Sequence, residues 1–149
     1  MEQLQYDDPV KNAYTAFERD GYDYGSVIST AWFRGQFRLS EPKTIQESDE
    51  SKMLYARYMH DLRSQLLINK KMALRSKSGV GQEVVNPADQ TQWAMLEVKN
   101  SIAREIERAR DRVENINLKK LTDSEQKDSR DALARLSFFN RKSLKRLAE

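Results

Sequence analysis

Apolar positions recur at helical spacing through most of this chain and at strand spacing in one short place. Val10, Ala13, Tyr14 and Phe17 mark one face of a helix that Asp7, Asp8 and Pro9 open and Gly21 ends, about Pro9 to Asp20. Val27 and Ile28 predict a very short extended piece. Ser29 then caps a second helix, TAWFRGQFRL, with Trp32, Phe33, Phe37 and Leu39. A third helix is expected from Ser48 or Asp49 to about Asn69, with Leu54, Tyr58, Leu62 and Leu66 as its apolar stripe. Next, Met72 to Lys77 and Gln82 to Val85 have strand character and flank a Ser-Gly-Val-Gly turn, which predicts a β-hairpin. Beyond Pro87 the pattern changes again. Met95, Ile102, Ile106, Ala109, Val113 and Ile116 form the heptad seam of a long helix. Leu118 to Leu121 break it, Thr122 and Glu125 form a capping box, and a last helix carries Leu133, Leu136, Phe139, Leu144 and Leu147.

These elements predict a mainly α protein in two parts. Residues 1–87 read as a winged-helix-like core of three helices plus a β-hairpin. Residues 88–149 read as a long antiparallel helical hairpin, or coiled-coil arm. Gly35, inside the second helix, suggests a close approach by another backbone.

Charge adds one lead. The 149 residues hold 26 basic and 23 acidic side chains, a net of only +3. The distribution is uneven: residues 1–47 are net negative, while 48–87 and 88–149 are each net positive. Arg63, Lys70, Lys71, Arg75 and Lys77 follow one another with no acid between them. They fall on the end of the third helix and the first hairpin strand, where a phosphate footprint would lie if a wing touched nucleic acid. The C-terminal RKSLKRLAE adds Arg141, Lys142, Lys145 and Arg146. In a chain this charged, a single basic cluster is more often a solvated face.

Catalytic chemistry finds little to work with. There is no cysteine, so disulfides, thiolate zinc sites and cysteine nucleophiles are excluded. The single histidine, His60, sits beside Asp61 on a long helix and reads as structural or exposed. Asp7 with Asp8, and Asp49 with Glu50, read as helix-start acids rather than metal ligands. Gly79-Val80-Gly81 lacks the lysine and following helix of a phosphate loop. The expectation is no catalytic site, no metal and no cofactor. Tyr22, Tyr24, Trp32, Phe33 and Phe37 could stack on bases but read better as core, with Tyr22 and Tyr24 in a loop as the exceptions. The first residues are acidic and no apolar run suits a membrane span, so the expected setting is the cytoplasm of a host cell, with no membrane partner.

Gly25, Val27, Ile28, Ser29 and Trp32, followed by Leu66, Leu67, Ala73, Leu74, Gly79, Gly81, Pro87 and Gln90, resemble the pattern of a group of small uncharacterised phage and prophage proteins. The likeness spans residues 21 to 90. It implies a phage or mobile-element origin and a winged-helix core, but carries no activity. The Gly-x-Gly turn also resembles the wing of response-regulator DNA-binding domains, where an aromatic usually follows the second glycine; here Gln82 follows it.

The leading functional expectation is a non-enzymatic DNA-binding regulator or accessory protein using Arg63, Lys70, Lys71, Arg75 and Lys77. The alternative is a small phage protein that binds and inhibits, or redirects, a host or defence-system protein. A third is an assembly oligomer. In any of these, Ile102, Ile106, Val113, Arg141, Lys142, Lys145 and Arg146 are the expected partner-binding or homodimer contacts of the C-terminal arm. Against DNA stand the length of the third helix, the acidic N-terminal segment and the modest net charge.

Overall fold

The computed structural model describes residues 7–139 and residue 146. It is mainly helical, with one small three-stranded antiparallel sheet. The chain divides into two compact units, Met1–Gln90 and Thr91–Glu149.

In the first unit, α1 spans Pro9–Arg19. Asp8 caps it, its carboxylate accepting from the Val10 and Lys11 N–H groups at 3.0 and 3.2 Å. Pro9 occupies the position where a missing N–H costs nothing. Val10, Ala13, Ala16 and Phe17 form the buried face of α1. The strand β1 (Val27–Ser29) follows, and the Ser29 hydroxyl caps α2 (Thr30–Gln36) through the Trp32 N–H.

The second helix is shorter than its sequence suggests. Phe37 turns into the core, and Arg38 takes a left-handed conformation with φ 54°. The Arg38 N–H reaches the Gly35 carbonyl and the Leu39 N–H the Arg34 carbonyl, closing the helix in a Schellman motif with arginine where glycine usually stands. At Gly35, a side chain would meet open space, so the expected close backbone approach is absent there.

The third helix, α3 (Ile45–Lys70), starts earlier than the expected Ser48 or Asp49. Thr44 caps the Glu47 N–H at 3.1 Å, and Glu47 reaches back to the Lys43 N–H at 2.7 Å. The cap is therefore the Thr-Ile-Gln-Glu stretch. Asp49 and Glu50 lie one turn further in and cap nothing. The helix ends at Lys71, left-handed at φ 59°.

The hairpin strands are β2 (Leu74–Lys77) and β3 (Gly81–Val84), and the sheet order is β1-β3-β2. Arg75 lies opposite Glu83 and Ser76 opposite Gln82, while Ser29 of β1 lies opposite Gly81. Here a glycine is required. A Cβ on Gly81 would stand 2.0 Å from the Ile28 carbonyl oxygen. The hairpin is thus stitched to the entry of α2 by backbone contact. Phe17, Ile28, Phe33, Phe37, Leu62, Leu66 and Val84 fill the core between helices and sheet. Of the expected α3 stripe, Leu62 and Leu66 are buried, Tyr58 is half-buried and Leu54 is exposed; Met59 is the third buried residue of the helix.

The second unit contains most of α4 (Pro87–Glu114), a short 3-10 turn (Leu118–Lys120) and α5 (Asp123–Phe138). The capping box expected at Thr122 and Glu125 is formed in both directions. The Gln126 amide bonds the Leu118 and Leu121 carbonyls, which ties the turn to α5. No described residue of α4 or α5 is buried. Half-buried positions do form stripes: Ile102, Ile106, Ala109 and Val113 on α4, and Ser129, Leu133 and Leu136 on α5. Leu144 and Leu147 lie outside the described residues.

Candidate interaction surface of the third helix and hairpin

The basic stretch lies where α3 ends and β2 begins, but most of its charge is engaged within the protein. Arg63, half-buried on α3, donates from Nη2 to the Ser76 hydroxyl at 2.7 Å and to Gln82 Oε1 at 2.6 Å. Gln82 is 5% exposed. It is the one buried polar side chain among the described residues, and its amide nitrogen also reaches Ser76 at 3.3 Å. The Arg63 Nε is buried and makes no hydrogen bond. This guanidinium braces the third helix against both hairpin strands.

Lys70 pairs with Glu18 of α1 at 2.8 Å and sits over the Tyr14 ring. The hydrogen bond to Glu18 raises its pKa above the ordinary lysine value. Arg75 pairs across the ladder with Glu83 at 2.7 Å. That hydrogen bond, helped by the Arg75 and Lys77 charges against a desolvation cost, holds the Glu83 carboxyl below the usual range. Lys71 is exposed, with its ammonium on the Ile68 carbonyl at 2.9 Å. Lys77 is exposed at the end of β2. Neither Lys71 nor Lys77 joins an ion pair among the described residues.

The exposed face of α3 carries both signs of charge. Asp49, Lys52, Arg57, His60, Asp61 and Ser64 all face solvent. A helix that reads phosphate-lined grooves usually concentrates cations there, and this one does not.

The aromatic residues behave mainly as core. Phe33 and Phe37 are buried, and rings run in contact from Phe17 through Tyr22, Trp32, Phe33 and Phe37 to Tyr55 and Tyr58. The Trp32 indole N–H donates to Asp20 at 3.0 Å. The Asp20 carboxyl lies below its ordinary pKa because Arg19 and Trp32 both hydrogen-bond it. Tyr24 reaches the Lys71 carbonyl at 3.3 Å, over the end of α3.

His60 is exposed, and no group of acids and histidines among the described residues could hold a metal. No helix of the described residues is long and apolar enough to cross a membrane. Ile102, Ile106 and Val113 are half-buried along α4, and Arg146 is exposed. Arg141, Lys142 and Lys145 lie outside the described residues.

Sequence reasoning missed the acids and amides that meet the basic stretch: Glu18, Ser76, Gln82 and Glu83. Two signals were present. Glu83 and Arg75 are both on the hairpin at positions that its register makes opposite, and Gln82 stands two residues before Val84, on the same inward face of β3. The chain matches no family model, no curated protein and no solved structure.

Proposed function

We propose that this chain is a non-enzymatic binding module on a winged-helix frame, and that its partner is a protein. The frame reading rests on the order α1-β1-α2-α3-β2-β3 with β1 paired to β3, the order of a winged helix. Fold alone does not assign a partner, because such frames bind proteins as well as DNA. The observation that carries the protein reading is the fate of the basic stretch. Arg63 braces the hairpin, while Lys70 and Arg75 meet Glu18 and Glu83, so their field on a distant phosphate is largely cancelled. The Thr91–Glu149 unit fits an antiparallel α4–α5 hairpin through the stripes of Ile102, Ile106, Val113 and Leu133, which leaves the exposed Arg146 for a partner or a second copy. A small phage protein acting on a host or defence protein accords with the resemblance at residues 21–90.

A second reading has its own support: Lys71 and Lys77 are exposed beside the hairpin and join no ion pair among the described residues. They would give a wing that touches a nucleic-acid backbone. One experiment separates the two. Fluorescence anisotropy with labelled duplex and single-stranded DNA, read across a salt series, should show weak binding that Lys71→Glu with Lys77→Glu barely changes. Tight binding with a steep salt slope, abolished by that pair of substitutions, would establish the DNA reading instead.

A further inference from the structure

One open groove of the first unit has more acidic than basic side chains in its lining. The groove lies between the α2–α3 connection and the first turns of α3, with a volume of about 440 Å³. That volume falls inside the range of roughly 300–1,000 Å³ typical of ligand sites. Leu39, Pro42 and Leu54 supply its apolar surface, while Glu41, Glu47 and Glu50 stand around it with Lys43 as the only cation. Glu47 is committed to the cap of α3 through the Lys43 N–H. Glu50 accepts from the Gln46 amide at 3.3 Å, and no ion pair among the described residues engages Glu41, Glu47 or Glu50, whereas Lys70 at the end of α3 and Arg75 of the hairpin are both paired.

The groove is held in shape before any ligand arrives. The left-handed turn at Arg38 redirects the chain out of α2. The Arg34 guanidinium then donates to the Ser51 hydroxyl at 2.7 Å and to the Ser40 carbonyl at 3.4 Å, fastening the connection to α3. A preformed wall saves the ordering entropy that a floppy loop would lose on binding. Apolar surface beside carboxylates that no ion pair among the described residues neutralises favours a ligand that is aliphatic and cationic together.

We infer that this groove docks a basic, amphipathic peptide segment of a partner protein. An aliphatic side chain lies on Leu39 and Leu54, and lysine or arginine beside it meets Glu41 and Glu50. The inference rests on the protein-partner reading and names the partner's chemistry. Charge reversal at the groove should act on the affinity itself and make it salt-dependent, as charges around an interface do.

The test uses the full chain and a fluorescent peptide of alternating lysine and leucine, with a glutamate–leucine peptide as control. The wild type should bind the first and ignore the second. Glu41→Lys with Glu50→Lys should weaken binding by about tenfold or more, and Glu41→Gln with Glu50→Gln by less. Both sites are exposed and outside the cap, and unchanged circular dichroism would verify that each variant folds. Failure of the wild type to bind the lysine–leucine peptide, equal binding of both peptides, or unaltered affinity in the reversed variant overturns the groove assignment. Labelled duplex DNA is the remaining arm. Binding of the duplex that Lys71→Glu with Lys77→Glu abolishes would overturn the protein-partner reading, while the peptide result still judges the groove separately.

Discussion

Arg63 is the residue whose role differs most between chain and fold, and its removal can be worked out in advance. In Arg63→Ala, Gln82 Oε1 loses the donor at 2.6 Å and stays buried, and Ser76 loses its donor at 2.7 Å. A hydrogen bond to a charged group contributes about 1.5–3 kcal/mol, and a buried acceptor left bare costs about 1–3 kcal/mol. These overlap and do not add, and Ser76 can turn to water. A net loss of roughly 2–3 kcal/mol follows, a large share of a total stability of about 5–15 kcal/mol. For a unit of this size that is a fall of roughly 10–15 °C in Tm. Urea unfolding followed by circular dichroism measures it directly. Arg63→Lys keeps the charge but has no planar fork and a shorter reach, so it should recover less than half of the loss. Arg75→Ala removes only a half-buried cross-strand pair and should cost about 1 kcal/mol or less. If Arg63→Ala unfolds within about 0.5 kcal/mol of wild type, the size of a neutral surface change, the bracing role is wrong. Full rescue by lysine would show that charge, not geometry, is what matters there.

Gly81→Ala forces a Cβ into the Ile28 carbonyl and should cost more than about 4 kcal/mol, whereas Gly79→Ala meets no atom within 4 Å and should cost only the left-handed penalty of about 1–2 kcal/mol; thermal melts rank the two. Lys71→Gly relieves a left-handed lysine and should stabilise by up to about 1 kcal/mol in urea titration, even though it deletes an exposed cation. The Asp20–Trp32 contact gives a pH signature. Asp20 has a lowered pKa in the fold, so its stabilising effect is complete above the unfolded aspartate value of about 3.9 and is lost as pH falls through the lower folded value. Trp32 fluorescence, read in a Trp93→Phe background, should therefore change only at acid pH below the usual aspartate range. Asp20→Asn should remove that step, and a midpoint at or above the ordinary value would contradict the assignment.

Much of the first unit was legible because its signals are local. Asp8-Pro9 opens α1, Ser29 caps α2, and the glycines around Val80 place the hairpin turn; each needs only near neighbours. The capping box at Thr122 was readable for the same reason. The misplaced α3 start shows how a local signal is lost: Thr44 and Glu47 spell a cap, but the polar run that follows hides where the apolar stripe begins. The early end of α2 was not local. It depends on Phe37 being drawn into a core shared with α3, which overrides the helical tendency of the next residues. The sheet order was equally distant information, since β1 pairs with β3 across all of α2 and α3.

Charge was the least legible property, for a physical reason. A run of basic residues predicts a field only if the fold brings no acid to it, and proximity in sequence says nothing of that. Lys70 has no acid near it in the chain, yet α1 delivers Glu18 to 2.8 Å. Arg75 stands in a basic stretch, yet antiparallel pairing sets Glu83 opposite. Arg63 is drawn inward by a buried amide. The acids of the α2–α3 connection are treated in the opposite way. Glu41 and Glu50 have one lysine among the groove residues and no ion pair among the described ones, so their charge persists outside the protein. At the end of α3 and on β2, by contrast, two of the cations already face an acid at ion-pair distance.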